Sequence, residues 1–385
     1  MTILIINFEY PPLGGGGGVA TQLFAEELAA RHTVHVLTTR MGELQPQETI
    51  RGVSIHRVRV FGRASVPTAS LLSLVTFIPS ALWRGWKIGR KAKFDVINAQ
   101  FVLPSGIVGL LLSAVLKVPL VVSFIGGDLF DPSKGTSPHR HAVLRWLIRC
   151  VAARAQGLTA ISEDTRRRAQ KLHGVRQPIA VTHLGIKPLA PSQASRSSLQ
   201  LPEDKPVFIS IGRLIPRKNF RLLLEAWTQL PDAHLIILGA GPLNDELQQT
   251  VVRLNLTDRV QLRGFTEENV KQQLLQAADA YISSSDHEGF GIVFLEAMDA
   301  GLPIIATARG GQVDFLRPGE NALLIPPGEA DQLAAAAYRL LGDPGLAQRM
   351  GYNNKEHVQQ FYLDRVTRRF EDVLVGAAEN YAHRS

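Results

Sequence analysis

Short apolar runs alternate with amphipathic stretches along the whole chain. Runs rich in β-branched residues predict strands in the first half at Ile3–Asn7, Thr33–Thr38, Val53–Val58, Val96–Ala99, Leu120–Phe124 and Gly157–Ile161. Stretches with apolar residues three or four positions apart predict helices at Ala20–Arg31, Gly106–Leu116, His141–Ala155 and Glu163–His173. Because strands that alternate with helices form βαβ units, the pattern predicts a mostly parallel sheet.

The alternation stops at Lys187–Lys205, which is rich in Pro, Ser and Gln, and then restarts. The strands predicted in the second half are Val207–Ile211, His234–Leu238, Val260–Arg263, Ala280–Ser284, Ile304–Thr307 and Ala322–Ile325. We therefore predict an α/β protein with two Rossmann-like, doubly wound domains at 1–187 and 205–360 and a linker at 188–204. A last helical pattern, about 361–385, is predicted to join the first domain. Two such domains predict a central ligand cleft at the carboxyl ends of their strands.

Charge is distributed unevenly between the two predicted domains. The formal net charge of the 385 residues is +8. Residues 1–187 carry 23 Lys and Arg against 10 Asp and Glu, a balance of +13, whereas residues 188–385 carry 19 against 24, a balance of −5. The first domain is therefore expected to face a polyanion such as a phosphorylated acceptor, membrane headgroups or nucleic acid. Solvated basic helix faces are the alternative.

Cysteine content and hydropathy favour a cytoplasmic protein. Cys150 is the only cysteine in the sequence, which excludes an internal disulfide and suits a reducing compartment. The first residues lack the basic lead of a secretory signal, and no apolar run reaches the roughly 18–20 residues of a spanning helix. Neither an Asp-x-Asp motif nor a His/Cys cluster occurs, so no metal and no cofactor are expected.

The segment Leu71–Lys93 combines an apolar first half with tryptophans and a basic end. Tryptophan beside a cationic cluster is typical of the interface between lipid and water. We expect this segment to contact an anionic membrane surface through Trp83, Trp86, Lys87 and Arg90. The alternative is an ordinary core helix with a basic end, in which Pro79 marks the start or a kink.

The most informative segment is Tyr281–Gly301. An apolar strand ends in Ser and Asp, a glycine-bounded turn follows, and a helix begins near Ile292. Such a turn directs backbone N–H groups and the positive end of the helix at a ligand, which suits phosphate. Glu288 lies in the turn, and Glu296 lies about one helical turn into the helix. Because like charges repel, these carboxylates suit the neutral hydroxyls of a nucleotide sugar; one helix-start glutamate and one solvated glutamate are the alternative.

Two cations lie in the loop after the predicted strand Val207–Ile211. Arg213 and Lys218 are expected at the same carboxyl edge of the sheet as Glu288. Two cations at this edge can clamp a diphosphate and stabilise the charge that builds on it as the sugar leaves. A basic loop that caps the next helix is the alternative.

Glycines mark the ends of the next two predicted strands. Gly239 begins the sequence Gly-Ala-Gly-Pro, and Gly264 lies between Arg263 and Phe265. Because glycine lacks a Cβ, a ligand is expected to approach the backbone closely at Gly239. Gly264 and Phe265 are expected to border a nucleobase.

These segments together resemble glycosyltransferase family 4, a group of retaining transferases with the two-domain GT-B fold. The likeness covers nearly the whole chain, from Pro11-Pro12 and the glycine run Gly14–Gly18 to the segment EGFGIVFLE that begins at Glu288. The E-x7-E spacing of that segment, before AMDAG, is its specific part. The resemblance implies a hexosyltransferase of polysaccharide biosynthesis whose partners are a nucleotide sugar and a glycan or lipid-linked acceptor, with no nucleic acid.

The resemblance also implies roles for single residues. Arg213 and Lys218 would bind the diphosphate and Glu288 would hold the transferred hexose, so these three are the candidate catalytic residues. Glu296 would hold the ribose. The residues that would bind the donor are Gly15, Gly16, Gly239, Gly264, Phe265, Phe290, Gly291, Ile292 and Glu296. The sugar would keep its α configuration through front-face attack, in which the leaving phosphate accepts the acceptor's proton.

Two positions depart from the family pattern. Ile125 stands where the family often has His, so a hydrogen bond to sugar or phosphate is missing or comes from elsewhere. Asp128, three residues later, is the candidate for contact with the acceptor. Before the linker, His183-Leu184-Gly185-Ile186 stands where Asn-Gly is usual, and its glycine can still make the turn.

Three other functions remain as alternatives. A nicotinamide-dependent oxidoreductase would explain Gly15–Ala20, which matches G-x-G-x-x-A, but the glycines do not follow the strand directly and Arg40 stands where an acid is needed. A nucleotide-sugar epimerase would share the fold and the donor. A lectin-like or nucleic-acid-binding protein would explain the basic half without requiring the carboxylates and cations of the second half. Product formation separates these functions from one another.

Overall fold

The computed structural model describes residues 1–63 and 69–383, so the last two residues of the helix predicted over 361–385 lie outside the described residues. The chain divides into two compact units. Unit 1 comprises Met1–Gly185 with Leu363–Ser385, and unit 2 comprises Ile186–Tyr362. Each unit is built on a sheet that is wholly or mostly parallel, and the α/β, doubly wound architecture predicted from the sequence is confirmed.

Unit 1 contains a sheet whose central strands are parallel. Its described strands are β1 (Thr2–Ile6), β2 (Thr33–Arg40), β3 (Gln47–Ile50), β4 (Val53–Arg59), β5 (Val96–Gln100), β6 (Leu120–Phe124), β7 (Gly157–Ala160) and β8 (Ala180–Val181). Their order across the sheet is β3-β4-β2-β1-β5-β6-β7-β8, and β3 pairs antiparallel with β4. The central strands β1, β5 and β6 are buried along nearly their whole length, because helices cover the sheet.

Three helices of unit 1 pack side by side as one layer. The helices of this unit are α1 (Gly16–Ala29), α2 (Leu71–Ala92), α3 (Ser105–Leu116), α4 (Ala142–Arg154), α5 (Glu163–His173) and, later in the chain, α12 (Leu363–Ala382). A Cβ at Gly85 of α2 would lie 2.5 Å from the Leu112 side chain of α3. A Cβ at Gly106 of α3 would lie 3.0 Å from Val151 of α4. Glycine therefore permits the close contact of α2, α3 and α4.

Unit 2 contains a parallel sheet in the order β11-β10-β9-β12-β13-β14. Its described strands are β9 (Val207–Ile211), β10 (His234–Leu238), β11 (Val260–Leu262), β12 (Ala280–Ile282), β13 (Ile304–Thr307) and β14 (Ala322–Ile325). Its helices are α6 (Phe220–Trp227), α7 (Asn244–Arg253), α8 (Glu268–Ala277), α9 (Ile292–Asp299), α10 (Ala330–Gly342) and α11 (Pro344–Val358). The central strands β9 and β12 are neighbours, so the loops that follow them meet at one edge of the sheet.

The segment predicted as a linker, 188–204, lies within unit 2. The backbone N–H of Leu189 donates to Asp299 Oδ2 at 2.6 Å, and that of Ser192 donates to Gln276 Oε1 at 3.0 Å. Leu199 and Leu201 are buried. The low periodicity of this segment therefore reflects irregular backbone that packs on the second sheet's helices.

Other differences from the predicted elements have local causes. Helix α1 begins at Gly16 rather than Ala20, although glycine disfavours helix by about 1 kcal/mol per residue. The strand β3, with the sequence QETI, is mostly exposed and polar and carries no alternating apolar signal. Helix α2 runs through Pro79, with Ser70 accepting a hydrogen bond from the Ser73 N–H at its start.

Candidate active site

The candidate site lies where the loops after β9 and β12 meet. Backbone and side-chain hydrogen bonds join the two loops: Asp286 N–H donates to the Arg217 carbonyl at 3.0 Å, and Asn219 Nδ2 donates to Asp286 Oδ1 at 3.0 Å. The hydroxyl of Ser284 donates to the Lys218 carbonyl at 3.1 Å. The structure therefore places Lys218 and Glu288 at the same edge of the sheet, as the positions of their strands predict.

Glu288 is the centre of a buried charge cluster. Lys218 Nζ lies 2.5 Å from Glu288 Oε1, and Arg217 Nη1 lies 3.2 Å from Glu288 Oε2. The Ser285 hydroxyl donates to Oε1 at 2.7 Å. Arg217 also donates to the His287 carbonyl, which fixes its guanidinium beside the turn. Both carboxylate oxygens of Glu288 thus accept from cations.

The cations decide the ionisation of Glu288. Burial alone would raise its pKa, but the charges of Lys218 and Arg217 outweigh burial and hold the pKa at about 2. Burial lowers the pKa of Lys218, and the charge of Glu288 opposes this shift. A carboxyl group with so low a pKa is ionised at neutral pH and cannot donate a proton there.

The turn after Glu288 is held by its own backbone. The Gly311 N–H donates to the Glu288 carbonyl at 2.8 Å, and Gly291, with φ of +91°, precedes the first residue of α9, Ile292. The Phe290 ring is buried against Phe315, with ring centroids 5.0 Å apart. Phe290 therefore anchors the turn by its side chain, and its contact with the donor stays a prediction.

Glu296, on α9, is held at one oxygen. Lys271 Nζ, from α8, lies 2.8 Å from Glu296 Oε1. Glu296 Oε2 is buried and, among the described residues, has no hydrogen-bond partner. Burial raises the pKa of Glu296, and the Lys271 charge opposes this shift. The carboxylate therefore has one oxygen available to accept from a ligand.

The other predicted donor residues of unit 2 differ in exposure. Arg213 is exposed in the loop after β9, and Phe265 is 83% exposed after β11. Gly264 has a φ of +67°. At Gly239, with φ of +145°, a Cβ would lie 1.9 Å from the Gly212 carbonyl oxygen. Gly239 is therefore required by the chain's own backbone, a cause different from the close approach of a ligand that its sequence predicts.

In unit 1, the glycine loop is tied to a carboxylate. Gly15 precedes α1, and its N–H donates to Glu9 Oε2 at 3.2 Å. Gly16 is exposed, and a Cβ there would meet no atom within 4 Å. A Cβ at Gly17 would lie 2.6 Å from Phe101 and 3.2 Å from Ile125. Ile125 thus lies beside the first turn of α1, next to an aromatic ring.

Asp128 stabilises loops at the carboxyl edge of the first sheet. Its Oδ2 accepts from the Val102 N–H at 2.8 Å, and its Oδ1 accepts from the Ile125 N–H at 3.0 Å. Burial raises the pKa of Asp128 to about 6, against the opposing effect of these hydrogen bonds. The side chain is buried and both oxygens accept from backbone, so contact with an acceptor stays a prediction.

The residues predicted for membrane contact lie on the outer face of α2. Trp83 is 59% exposed and Trp86 is 37% exposed. Lys87 Nζ lies 3.9 Å from the centre of the Trp83 ring, and the Arg90 guanidinium lies 5.2 Å from that of Trp86. No helix of the described residues is both long and apolar enough to span a bilayer.

Two cations of the site were missed in the sequence. Arg217 adjoins Lys218 in the same loop, and its position beside a cation already assigned was a usable signal. Lys271 lies 25 residues before Glu296 on another helix. Only the packing of α8 beside α9 brings it to Glu296, so no local pattern could have indicated it.

Two families match successive parts of the chain. Residues 15–185 match the glycosyl transferase 4-like domain, and residues 191–357 match the glycosyl transferases group 1. Together the matches span both units. The chain belongs to glycosyltransferase family 4. Glycosyl transfer is therefore the activity of this family 4 transferase, and the parallel sheets of its two units are those of the GT-B fold.

Individual relatives agree with this family, and solved structures agree with the fold. The family 4 transferase is 34% identical to the lipopolysaccharide core biosynthesis glycosyltransferase LpsE of Rhizobium meliloti over 180 residues, which is 46% of this chain and 52% of LpsE. Its fold is similar to that of sucrose-phosphate synthase from Thermosynechococcus elongatus, with a TM-score of 0.86, 24% identity and coverage of 97% and 98% of the two chains. Anabaena HepE in complex with UDP-glucose gives a TM-score of 0.78 at 21% identity, with coverage of 98% and 100%.

Proposed function

We propose that this transferase moves a hexosyl unit from a nucleotide-diphosphate sugar to a lipid-linked or envelope-glycan acceptor, with retention of configuration and without a metal ion. The observation that carries the donor half of this proposal is the cluster of Lys218, Arg217 and Glu288 at the carboxyl edge of the second sheet. HepE, which shares the fold, binds UDP-glucose, and LpsE acts in lipopolysaccharide core biosynthesis.

In the proposed reaction, cations replace a metal ion at the leaving group. The bond between the anomeric carbon and the phosphate oxygen breaks, and an acceptor hydroxyl oxygen bonds to the same face of that carbon. The departing phosphate oxygen takes the hydroxyl proton. Lys218 and the exposed Arg213 stabilise the negative charge that grows on the diphosphate. Glu288 fixes Lys218 and Arg217 in advance, and its remaining lone pairs accept from sugar hydroxyls.

The donor proposal is tested by product formation with UDP-, GDP- and ADP-sugars. Arg213→Ala is expected to lower the turnover number by about 10²–10³, the loss seen when one group that stabilises developing charge is removed. Arg221→Ala is the matched control, because Arg221 is an exposed arginine that pairs with Glu246 at the surface. Near-normal turnover by Arg213→Ala, or an equal loss in Arg221→Ala, would contradict the site.

Metal dependence is tested by chelation. Full activity after exhaustive chelation is expected, and a loss of activity that Mg²⁺ or Mn²⁺ restores would contradict the metal-independent mechanism.

The acceptor proposal rests on a surface of unit 1 that suits a membrane. Helix α3, which packs on α2, and helix α4, which packs on α3, expose further apolar side chains: Leu111 and Val115 on α3, and Val143 and Trp146 on α4, are 43–68% exposed. Arg145 and Arg149 of α4 are exposed beside Trp146. Apolar side chains among cations suit the headgroup region of an anionic bilayer, where each basic residue adds about 1 kcal/mol.

Liposome flotation tests this part of the proposal. Wild-type protein is expected to float with vesicles that contain phosphatidylglycerol at low salt, and not with phosphatidylcholine alone. Replacement of Trp83, Trp86, Lys87 and Arg90 by Ala should abolish flotation, whereas Tyr352→Ala, an exposed aromatic residue of unit 2, should not. Wild-type protein that ignores anionic vesicles would indicate a water-soluble acceptor.

A further inference from the structure

The two oxygens of Glu296 have different environments. Oε1 lies 2.8 Å from Lys271 Nζ, whereas Oε2 is buried and has no hydrogen-bond partner among the described residues. The side chain of Glu296 is 13% exposed, so few water molecules reach it. A buried acceptor without a partner is costly in an empty site and is satisfied when a ligand donates to it.

Lys271 forms an ion pair with the carboxylate of Glu296. Its side chain is 15% exposed, and its ammonium nitrogen lies 2.9 Å from Glu268 Oε2 and 2.8 Å from Glu296 Oε1. Glu268 is 66% exposed, so water screens that pair, whereas the pair with Glu296 is shielded. Burial would lower the pKa of Lys271, but the charges of Glu296 and Glu268 and the hydrogen bonds to both carboxylates together raise it, so the ammonium form persists at neutral pH.

Without Lys271, Glu296 would lose both its charge partner and its orientation. Burial raises the pKa of Glu296 already, and removal of the opposing cation would raise it further. A protonated carboxyl group accepts hydrogen bonds poorly, and an unheld side chain changes rotamer. Lys271 thus maintains two properties of Oε2, its negative charge and its direction.

We propose that Lys271 is a positioning residue that holds Glu296 so that its Oε2 accepts a hydrogen bond from the ribose hydroxyls of a bound nucleoside diphosphate. The pair then selects ribonucleotides over nucleotides that lack these hydroxyls. This inference rests on the nucleotide-sugar donor under "Proposed function" and adds the residue that makes the ribose contact effective. Hydrogen bonds to a charged group are stronger than those between neutral groups. An ionised carboxylate in a fixed orientation therefore binds a ribose hydroxyl more strongly than a neutral or mobile carboxyl group does.

The test compares UDP, GDP and ADP with their 2′,3′-dideoxy forms by calorimetry on the full chain. Wild-type protein is expected to bind its preferred diphosphate at least about tenfold more tightly than the dideoxy form, the effect of a hydrogen bond to a charged group. Lys271→Met should reduce that ratio to near one, mainly by weakening binding of the ribonucleotide. Lys271→Arg, which keeps a cation at this position, should retain much of the wild-type ratio. Glu268→Gln is the matched control, because it removes only the exposed partner of Lys271 and should leave the ratio unchanged.

The outcomes separate the two proposals. Equal binding of both forms by wild-type protein would overturn the ribose contact, and no binding of any nucleoside diphosphate would overturn the donor class itself. A ratio that falls in Glu296→Gln and persists in Lys271→Met would overturn the role of Lys271 alone. Thermal melting of each variant shows whether it is folded. If Lys271 had only a structural role, its replacement would weaken binding of the ribonucleotide and of the dideoxy form equally.

Discussion

The carboxylate of Glu288 is buried and ionised because two cations lie against it. Its pKa of about 2 is below its ordinary value of 4.5, so the folded state binds its proton less tightly than the unfolded state. The stability that this group contributes is therefore present above pH 4.5 and is lost as pH falls towards 2. The same charge cluster links folding of the turn to the proposed clamp on the diphosphate.

Removal of Glu288 should destabilise unit 2. Glu288→Gln leaves Lys218 and Arg217 buried without their partner, and we expect a loss of about 3–5 kcal/mol in the free energy of unfolding at pH 7. The loss should shrink as pH is lowered from 4.5 towards 2, where wild type loses the same interaction. Urea unfolding at several pH values measures both effects, and Glu246→Gln, in an exposed pair, is the control. A pH-independent difference would contradict the assigned pKa.

A double variant tests whether the cost lies in the unpaired charge. Lys218→Met with Glu288→Gln should be more stable than Glu288→Gln alone, because the second substitution removes the cation that the first leaves buried. The comparison uses the same urea unfolding. Additive losses would show that Lys218 and Glu288 stabilise the protein independently.

The sequence predicts which charged residues lie at this site better than it predicts which of them pair with one another. Lys218 and Glu288 follow adjacent parallel strands, so their proximity follows from topology. That Glu288 accepts from Arg217 depends on the path of a short loop, which no periodicity encodes. That Lys271 reaches Glu296 depends on packing between two helices. Gly239 is a similar case. The sequence pattern indicates that a glycine is needed there, but the reason, the nearby carbonyl of Gly212, is seen only in the three-dimensional structure.

At the level of helices and strands, the sequence predicts the buried strands within two residues, because their apolar runs are continuous. The prediction is wrong where contact rather than composition decides, as at the start of α1, which lies four residues earlier than predicted. The contact between α9 and α11 is of this kind. A Cβ at Gly351 of α11 would lie 2.3 Å from the carbonyl oxygen of Gly301, beyond the end of α9.

Gly351→Ala should therefore destabilise unit 2 by about 1–3 kcal/mol, the usual cost of overpacking, because a backbone carbonyl cannot yield as a flexible side chain does. Gly342→Ala is the matched control at the end of α10, where a Cβ would meet no atom within 4 Å. That variant should be neutral or more stable by up to about 1 kcal/mol. Thermal and urea unfolding measure both, and equal behaviour of the two variants would contradict the packing argument.

At the level of the whole molecule, unit 1 is made from two separate parts of the chain. Helix α12 buries Val366, Phe370 and Leu374 in unit 1. The rings of Phe370 and Phe24 lie 5.3 Å apart, and Glu371 lies 2.8 Å from Arg31 and 2.6 Å from His32. The stability of unit 1 therefore depends on residues that follow unit 2.

Phe370→Ala should destabilise unit 1 by about 3–5 kcal/mol, as truncation of a buried phenylalanine does. Hydrogen exchange resolved by peptide should show faster exchange in β1, β5, β6 and α1 and little change in β9–β14. Asp372→Ala, two residues further along the same helix and exposed, should change stability by no more than about 0.5 kcal/mol. Uniformly faster exchange in both units would show that the chain unfolds as one body.

The return of α12 to unit 1 also sets the order in which the protein is completed during synthesis. A ribosome that adds about 5–20 residues per second makes all of unit 2 before it reaches Leu363, which takes about 10–35 s. During that time the nascent unit 1 lacks the helix that covers Phe24, and its apolar surface is accessible to chaperones. Although it starts later, unit 2 is the first of the two to have its whole sequence available for folding.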